Sequence, residues 1–167
     1  MLFRSAGFST SLAFVLICLL LFLALRSVRL VVPILITLAM GLVLTAAFAA
    51  AAVHALNLIS VAFAVLFIGI AVDFSIQFSV RYRSERFDID DLAEALRRTA
   101  RSIGGPLAVA AATTAVGFFS FVPTAYTGVS DLGLISGVGM LIALALNLTV
   151  LPGLLVLIQP RGERLAV

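Results

Sequence analysis

The chain has 167 residues, of which 63% are hydrophobic and only 11% charged, with a mean hydropathy of +1.25. Soluble domains are about half apolar and a quarter charged, so a soluble globular fold is excluded. The net charge of +3 rests on eleven arginines and no lysine, set mostly at the ends of apolar runs; this is a membrane-topology signal rather than a phosphate-binding face for nucleic acid.

A bilayer span needs roughly 20 apolar residues. Dividing the chain on that basis predicts an all-α membrane protein: one bundle over residues 1–167, with about five transmembrane helices and one cytoplasmic amphipathic helix. The first span covers about 9–25 and stops at Arg26-Ser27-Val28-Arg29. Its run from Leu12 to Leu25 leads into arginines rather than into a small-residue cleavage site, so it reads as a span and not as a signal peptide. It holds Cys18, the one cysteine, which offers neither a disulfide framework nor a multi-cysteine metal site.

The second span covers about 30–53, with Pro33 in the first turn, where a missing N–H costs little. His54-Ala55-Leu56-Asn57 then makes a connection short enough to require an antiparallel neighbour. The third span, about 58–80, ends at Arg81-Tyr82-Arg83.

From Ser84 to Gly105 the chain turns polar, and a cytoplasmic loop helix is expected over about 90–103. Asp88, Asp90 and Asp91 are candidate caps, Glu94 stands three after Asp91 as in a capping box, and Arg97, Arg98 and Arg101 crowd the far end. Leu92, Ala95, Leu96, Thr99 and Ile103 form a moderately apolar stripe suited to the membrane surface or to the bundle. Gly104-Gly105 is expected to end this helix and Pro106 to open the fourth span, about 106–122, which closes at Pro123. Thr124 to Leu132 reads as a polar turn, and the fifth span covers about 133–158.

Ten of the eleven arginines then fall on one side of the membrane, and only Arg4 on the other. By the positive-inside rule the N-terminus is periplasmic and the C-terminus cytoplasmic, in a multi-pass inner-membrane protein. An outside N-terminus without a signal peptide predicts a further helix ahead of this sequence.

Asp73 is the one ionisable residue well inside a span, about fifteen residues from one end and eight from Arg81. At roughly 1.5 Å per residue it lies about 12 Å in from the cytoplasmic arginines. An aspartate there costs on the order of 2.5–3.5 kcal/mol on insertion scales, which makes it a functional residue by default. Desolvation favours the neutral form of a carboxyl group, so such a site can load and unload a proton. Gly69 and Gln77 share its helical face: the glycine admits a close neighbour and the amide can share a hydrogen bond. Ser75 lies near but off that face. Thr113 and Thr114, at mid-membrane on the fourth span, either solvate a proton path or bond their own helix.

Gly133 and Gly137 give the fifth span a G-x-x-x-G packing spacing, and Asn147 and Thr149 before Pro152 suggest a kink. The thirteen phenylalanines suit core and lipid-facing positions. A lone His54 and the absence of a lysine-bearing phosphate loop predict neither enzyme activity, nor a cofactor, nor a metal.

Two runs carry a resemblance. Gly69-Ile-Ala-Val-Asp73-Phe-Ser-Ile-Gln-Phe-Ser-Val-Arg81-Tyr-Arg83 resembles the fourth helix of one half of an RND-superfamily transporter, in the branch holding the MMPL and hopanoid (HpnN-like) exporters. Ala112-Thr-Thr-Ala-Val-Gly-Phe-Phe-Ser-Phe-Val-Pro123, with Gly128 to Gly133 after it, resembles that branch's fifth helix and the start of its sixth. The resemblance implies helices two to six of one half, with Asp73 as the proton-relay aspartate. It also implies export of hydrophobic, hopanoid-like molecules driven by proton-motive force, with membrane lipids around the bundle. The expected partners are the remainder of the transporter: its first helix, periplasmic domain and second half. Phe74 stands where many relatives have tyrosine, so no phenol assists there. The alternative is a lipid-binding module like a sterol-sensing domain, which shares the helical layout without transport. A SecD- or SecF-type export subunit also carries an aspartate on its fourth helix, but the Thr113 to Pro123 run fits it poorly.

Overall fold

A computed structural model describes residues 28–53 and 58–158, with side chains from Leu66 onward in the second block. The expected first span, the connection at His54 and the C-terminal arginines lie outside the described residues. Four helices make up the described chain: α1 (Val28–Ala52), α2 (Leu58–Asp88), α3 (Leu92–Phe119) and α4 (Thr127–Ile158). No strand occurs among the described residues. Arg29–Ala52, Leu92–Phe119 and Thr127–Ile158 are long and apolar enough to cross a membrane. The 58–80 part of α2 carries only Asp73 as a charge.

Three boundaries differ from the sequence expectation. First, α2 does not stop at Arg81-Tyr82-Arg83 but runs two turns further, to Asp88. Arg81 pairs with Glu85 at 2.7 Å one turn on. Arg86 then closes the end by donating to the carbonyls of Ile89, at 3.0 Å, and Asp90. These contacts tie the end of α2 to the connection that follows it, and a cation in the last turn opposes the helix dipole.

Second, the expected loop helix and fourth span are one helix. Asp91 is its N-cap, accepting from the Ala93 N–H at 3.0 Å. The helix then passes through Gly104-Gly105-Pro106 without a break. Pro106 removes a single backbone donor, whereas ending one helix and starting another leaves several N–H and C=O groups unpaired next to the bilayer. The stripe of Ala95, Leu96 and Thr99 is buried against the bundle, which decides between the two positions the sequence allowed.

Past Phe119 the chain tightens into successive turns, with Phe121 N–H to Phe118 O and Val122 N–H to Phe119 O at 3.0 Å, before Pro123. Third, α4 starts at Thr127 rather than 133, and the Ser130 hydroxyl ties its first turn back to Val122 O at 2.7 Å. The polar turn is therefore shorter than expected, because residues 127–132 have helical partners available and use them. α4 continues through Pro152 to Ile158.

α4 is the shared element: it packs on α1, α2 and α3, while α2 also touches both α1 and α3. Apolar side chains gain little from leaving lipid for protein, so association depends on close fit. Gly41 of α1 supplies it where three helices meet, since a Cβ there would stand 2.9 Å from the Phe67 ring and 3.3 Å from Leu146. Gly133 and Gly137 do the same for α4 against the end of α3: a Cβ on Gly133 would meet Phe118 O at 2.6 Å, and one on Gly137 would enter the Phe119 ring. Between these contacts Ile34, Phe67, Phe74, Phe78, Leu107 and Ile135 fill the core.

Candidate functional site

Asp73 sits halfway along α2, on the side that turns away from the other three helices. Phe67, Ala71, Phe74, Ser75 and Phe78 are buried, while Leu66, Gly69, Asp73, Gln77 and Val80 are exposed. Spacings of three and four place these exposed residues in one stripe. The carboxylate of α2 therefore lies outside the packed unit.

Gln77 Nε2 donates to Asp73 Oδ2 at 2.8 Å, across one helical turn. This fixes one of the two carboxylate oxygens. Gly69, one turn before Asp73, has nothing within 4 Å of the place a Cβ would take. The stripe thus offers a carboxylate, an amide and a gap one turn long.

Thr113 and Thr114 are engaged by their own helix rather than hydrogen-bonded to Asp73. Each donates within α3, Thr113 Oγ1 to Val109 O and Thr114 Oγ1 to Ala110 O, both at 2.8 Å. Among the described residues no group of three or more His, Cys, Asp or Glu is placed to hold a metal.

On the opposite face of α2 is a contact that spacing alone does not reveal. Ser75 Oγ donates to Asn147 Oδ1 of α4 at 2.6 Å, with both residues buried. Asn147 Nδ2 in turn donates to Ala143 O at 2.9 Å, so both ends of the amide are held. The available signal was a polar residue within each apolar run; their pairing depends on which helices meet. Asp73 and Ser75 lie two residues apart, so the helix that presents the carboxylate outward is anchored inward almost at the same level.

The chain matches the model of the MMPL family over residues 3–165. It is 57% identical over 143 residues to the hopanoid transporter HpnN of Burkholderia multivorans (strain ATCC 17616 / 249), an overlap of 86% of this chain and 16% of that protein. Its identity to the hopanoid transporter HpnN of Rhodopseudomonas palustris (strain TIE-1) is 49% over 150 residues, 90% of this chain and 17% of that protein. A putative membrane protein, ActII-3, of Streptomyces coelicolor (strain ATCC BAA-471 / A3(2) / M145) is 34% identical over 93 residues, 56% of this chain and 13% of that protein. The chain thus spans 16–17% of the length of the two transporters it matches.

Proposed function

Because the chain belongs to the MMPL family, we propose that it is the membrane part of an RND-type exporter of hydrophobic molecules, hopanoids or other lipids, driven by proton-motive force through Asp73. The observation that carries this reading is the stripe Gly69, Asp73 and Gln77, which turns a hydrogen-bonded carboxylate outward from the packed helices. A carboxylate facing hydrocarbon is costly, so the stripe belongs against protein or a water-filled path. The much longer relatives have the additional chain to provide such a cover. A carboxyl group alternately exposed to the two sides and neutralised by a proton is what a proton-coupled step needs.

The names of the two similar transporters support a hopanoid-like substrate, and their bacterial sources support an inner-membrane location. The arginines at the ends of the spans support a periplasmic N-terminus and a cytoplasmic C-terminus.

The test is Asp73→Asn in the full-length protein, with export of the lipid measured in the presence and absence of a proton gradient. Loss of gradient-dependent export is expected. Export that continues unchanged overturns the relay role. Lipid binding that survives the substitution in a protein needing no gradient supports a sterol-sensing-like module instead.

A further inference from the structure

One exposed stripe of α3 runs from charged to apolar without interruption. Arg97, Arg101, Gly105, Val109, Ala112 and Val116 follow at steps of four, four, four, three and four, and all six are exposed. Such steps keep them on one face over roughly 28 Å, close to the thickness of a bilayer's hydrocarbon core. The unbroken course of α3 through Gly104-Gly105-Pro106 is what aligns its polar and apolar halves.

Arg97 and Arg101 are an uncompensated part of the basic surface among the described residues. Arg81 is paired with Glu85, and Arg98 with Glu94 at 3.5 Å. Arg97 and Arg101 have no ion pair among the described residues. One turn beyond Arg101, Gly105 has nothing within 4 Å of the place its Cβ would take. Next come Val109, 68% exposed, and Val116, 67% exposed, on a surface that can only be covered by something apolar. Two cations, the open position at Gly105 and an apolar lane therefore stand in the order head, backbone and tail.

We propose that this stripe is a binding site for one anionic phospholipid. Arg97 and Arg101 hold its phosphodiester, the glycerol backbone lies over Gly105, and an acyl chain follows Val109, Ala112 and Val116. The charge complementarity selects an anionic headgroup over a zwitterionic one. The apolar lane distinguishes a lipid from a free phosphate. The site is on a different helix from Asp73 and does not depend on the direction of transport.

Native mass spectrometry of the full-length protein in a neutral detergent tests this, with phosphatidylglycerol, phosphatidylcholine and inorganic phosphate as probes. The variant Arg97→Gln/Arg101→Gln is compared with Arg81→Gln/Arg98→Gln, which removes the same charge from paired positions. Wild type and the paired-position variant are expected to retain one phosphatidylglycerol more than Arg97→Gln/Arg101→Gln. Phosphatidylcholine should show no such difference, and millimolar phosphate should leave the extra lipid bound. Equal phosphatidylglycerol retention in all three proteins overturns the site, as does an equal difference with phosphatidylcholine. Displacement by phosphate alone overturns the apolar half of the assignment. Because all four arginines lie on helix surfaces, circular dichroism should show the same helix content in each variant.

Discussion

Ser75 of α2 and Asn147 of α4 are joined by a buried hydrogen bond of 2.6 Å, 72 residues apart in the chain. Where water is absent, a buried polar side chain needs a partner within the protein. Interhelical hydrogen bonds in membranes nonetheless measure only about 0.6 kcal/mol on average and up to about 1.7. Ser75→Ala and Asn147→Ala are each expected to destabilise the bundle by about 1 kcal/mol, within that range. The double variant should cost clearly less than the sum of the two. Unfolding titrations in mixed micelles give the cycle, and strict additivity would show that the two groups do not interact.

The glycines of α4 and α3 should respond differently to an added methyl group. At Gly133 the Cβ meets the Phe118 carbonyl, part of a helix backbone that cannot step aside, whereas at Gly137 it meets the Phe119 ring, which can turn. Gly133→Ala is therefore expected to cost about 1–3 kcal/mol and Gly137→Ala less. Gly117, with nothing within 4 Å of its Cβ position, should gain up to about 1 kcal/mol on substitution by alanine, from helix propensity. Thermal unfolding of the three variants in one detergent checks the order.

These contrasts show what the sequence can convey. Three helices long and apolar enough to cross a membrane, the Asp91 cap and the packing role of Gly133 and Gly137 were legible because each rests on local composition or on spacing within one helix. Gly104-Gly105-Pro106 misled because glycine and proline end helices where water takes up the freed groups, and next to a bilayer that reservoir is missing. Asp73 was legible as a residue out of place, but not as one turned away from its neighbours. Helical period places residues on a common face without saying which face another helix covers. The partner of Ser75 was hidden for the same reason.

Tyr82 offers a spectroscopic probe of the polar end of α2. Burial pushes its hydroxyl above the usual value of 10.0, and the nearby Arg86 guanidinium pulls part of the way back. A group whose pKa is raised on folding contributes stability that is fully present below about 10 and is lost as pH climbs through the folded value. In the 167-residue chain expressed by itself, which has two tyrosines and no tryptophan, Tyr126→Phe leaves Tyr82 as the one phenol. Its absorbance titration is expected to have a midpoint above 10 while folded and to fall to about 10 in denaturant. A folded-state midpoint at or below the denatured one would mean that Arg86 outweighs burial.

Gln77 allows the proposed role of Asp73 to be tested without removing the carboxylate. Its amide holds one of the two oxygens at 2.8 Å, from the same exposed stripe. Hydrogen bonds to charged groups are worth about 1.5–3 kcal/mol when shielded from water, and less when wet. Gln77→Leu is expected to slow gradient-dependent export by the full-length protein by about tenfold, the lower part of that range. Asp73→Asn should abolish the gradient-dependent part, and Gln77→Leu added to it should change nothing more, because the amide acts only through the carboxylate. Export assays on the two single variants and the double variant decide this. If Gln77→Leu slows the Asp73→Asn protein by the same factor as wild type, the amide serves the helix or the substrate directly, and the Asp73 and Gln77 pair is not a functional unit.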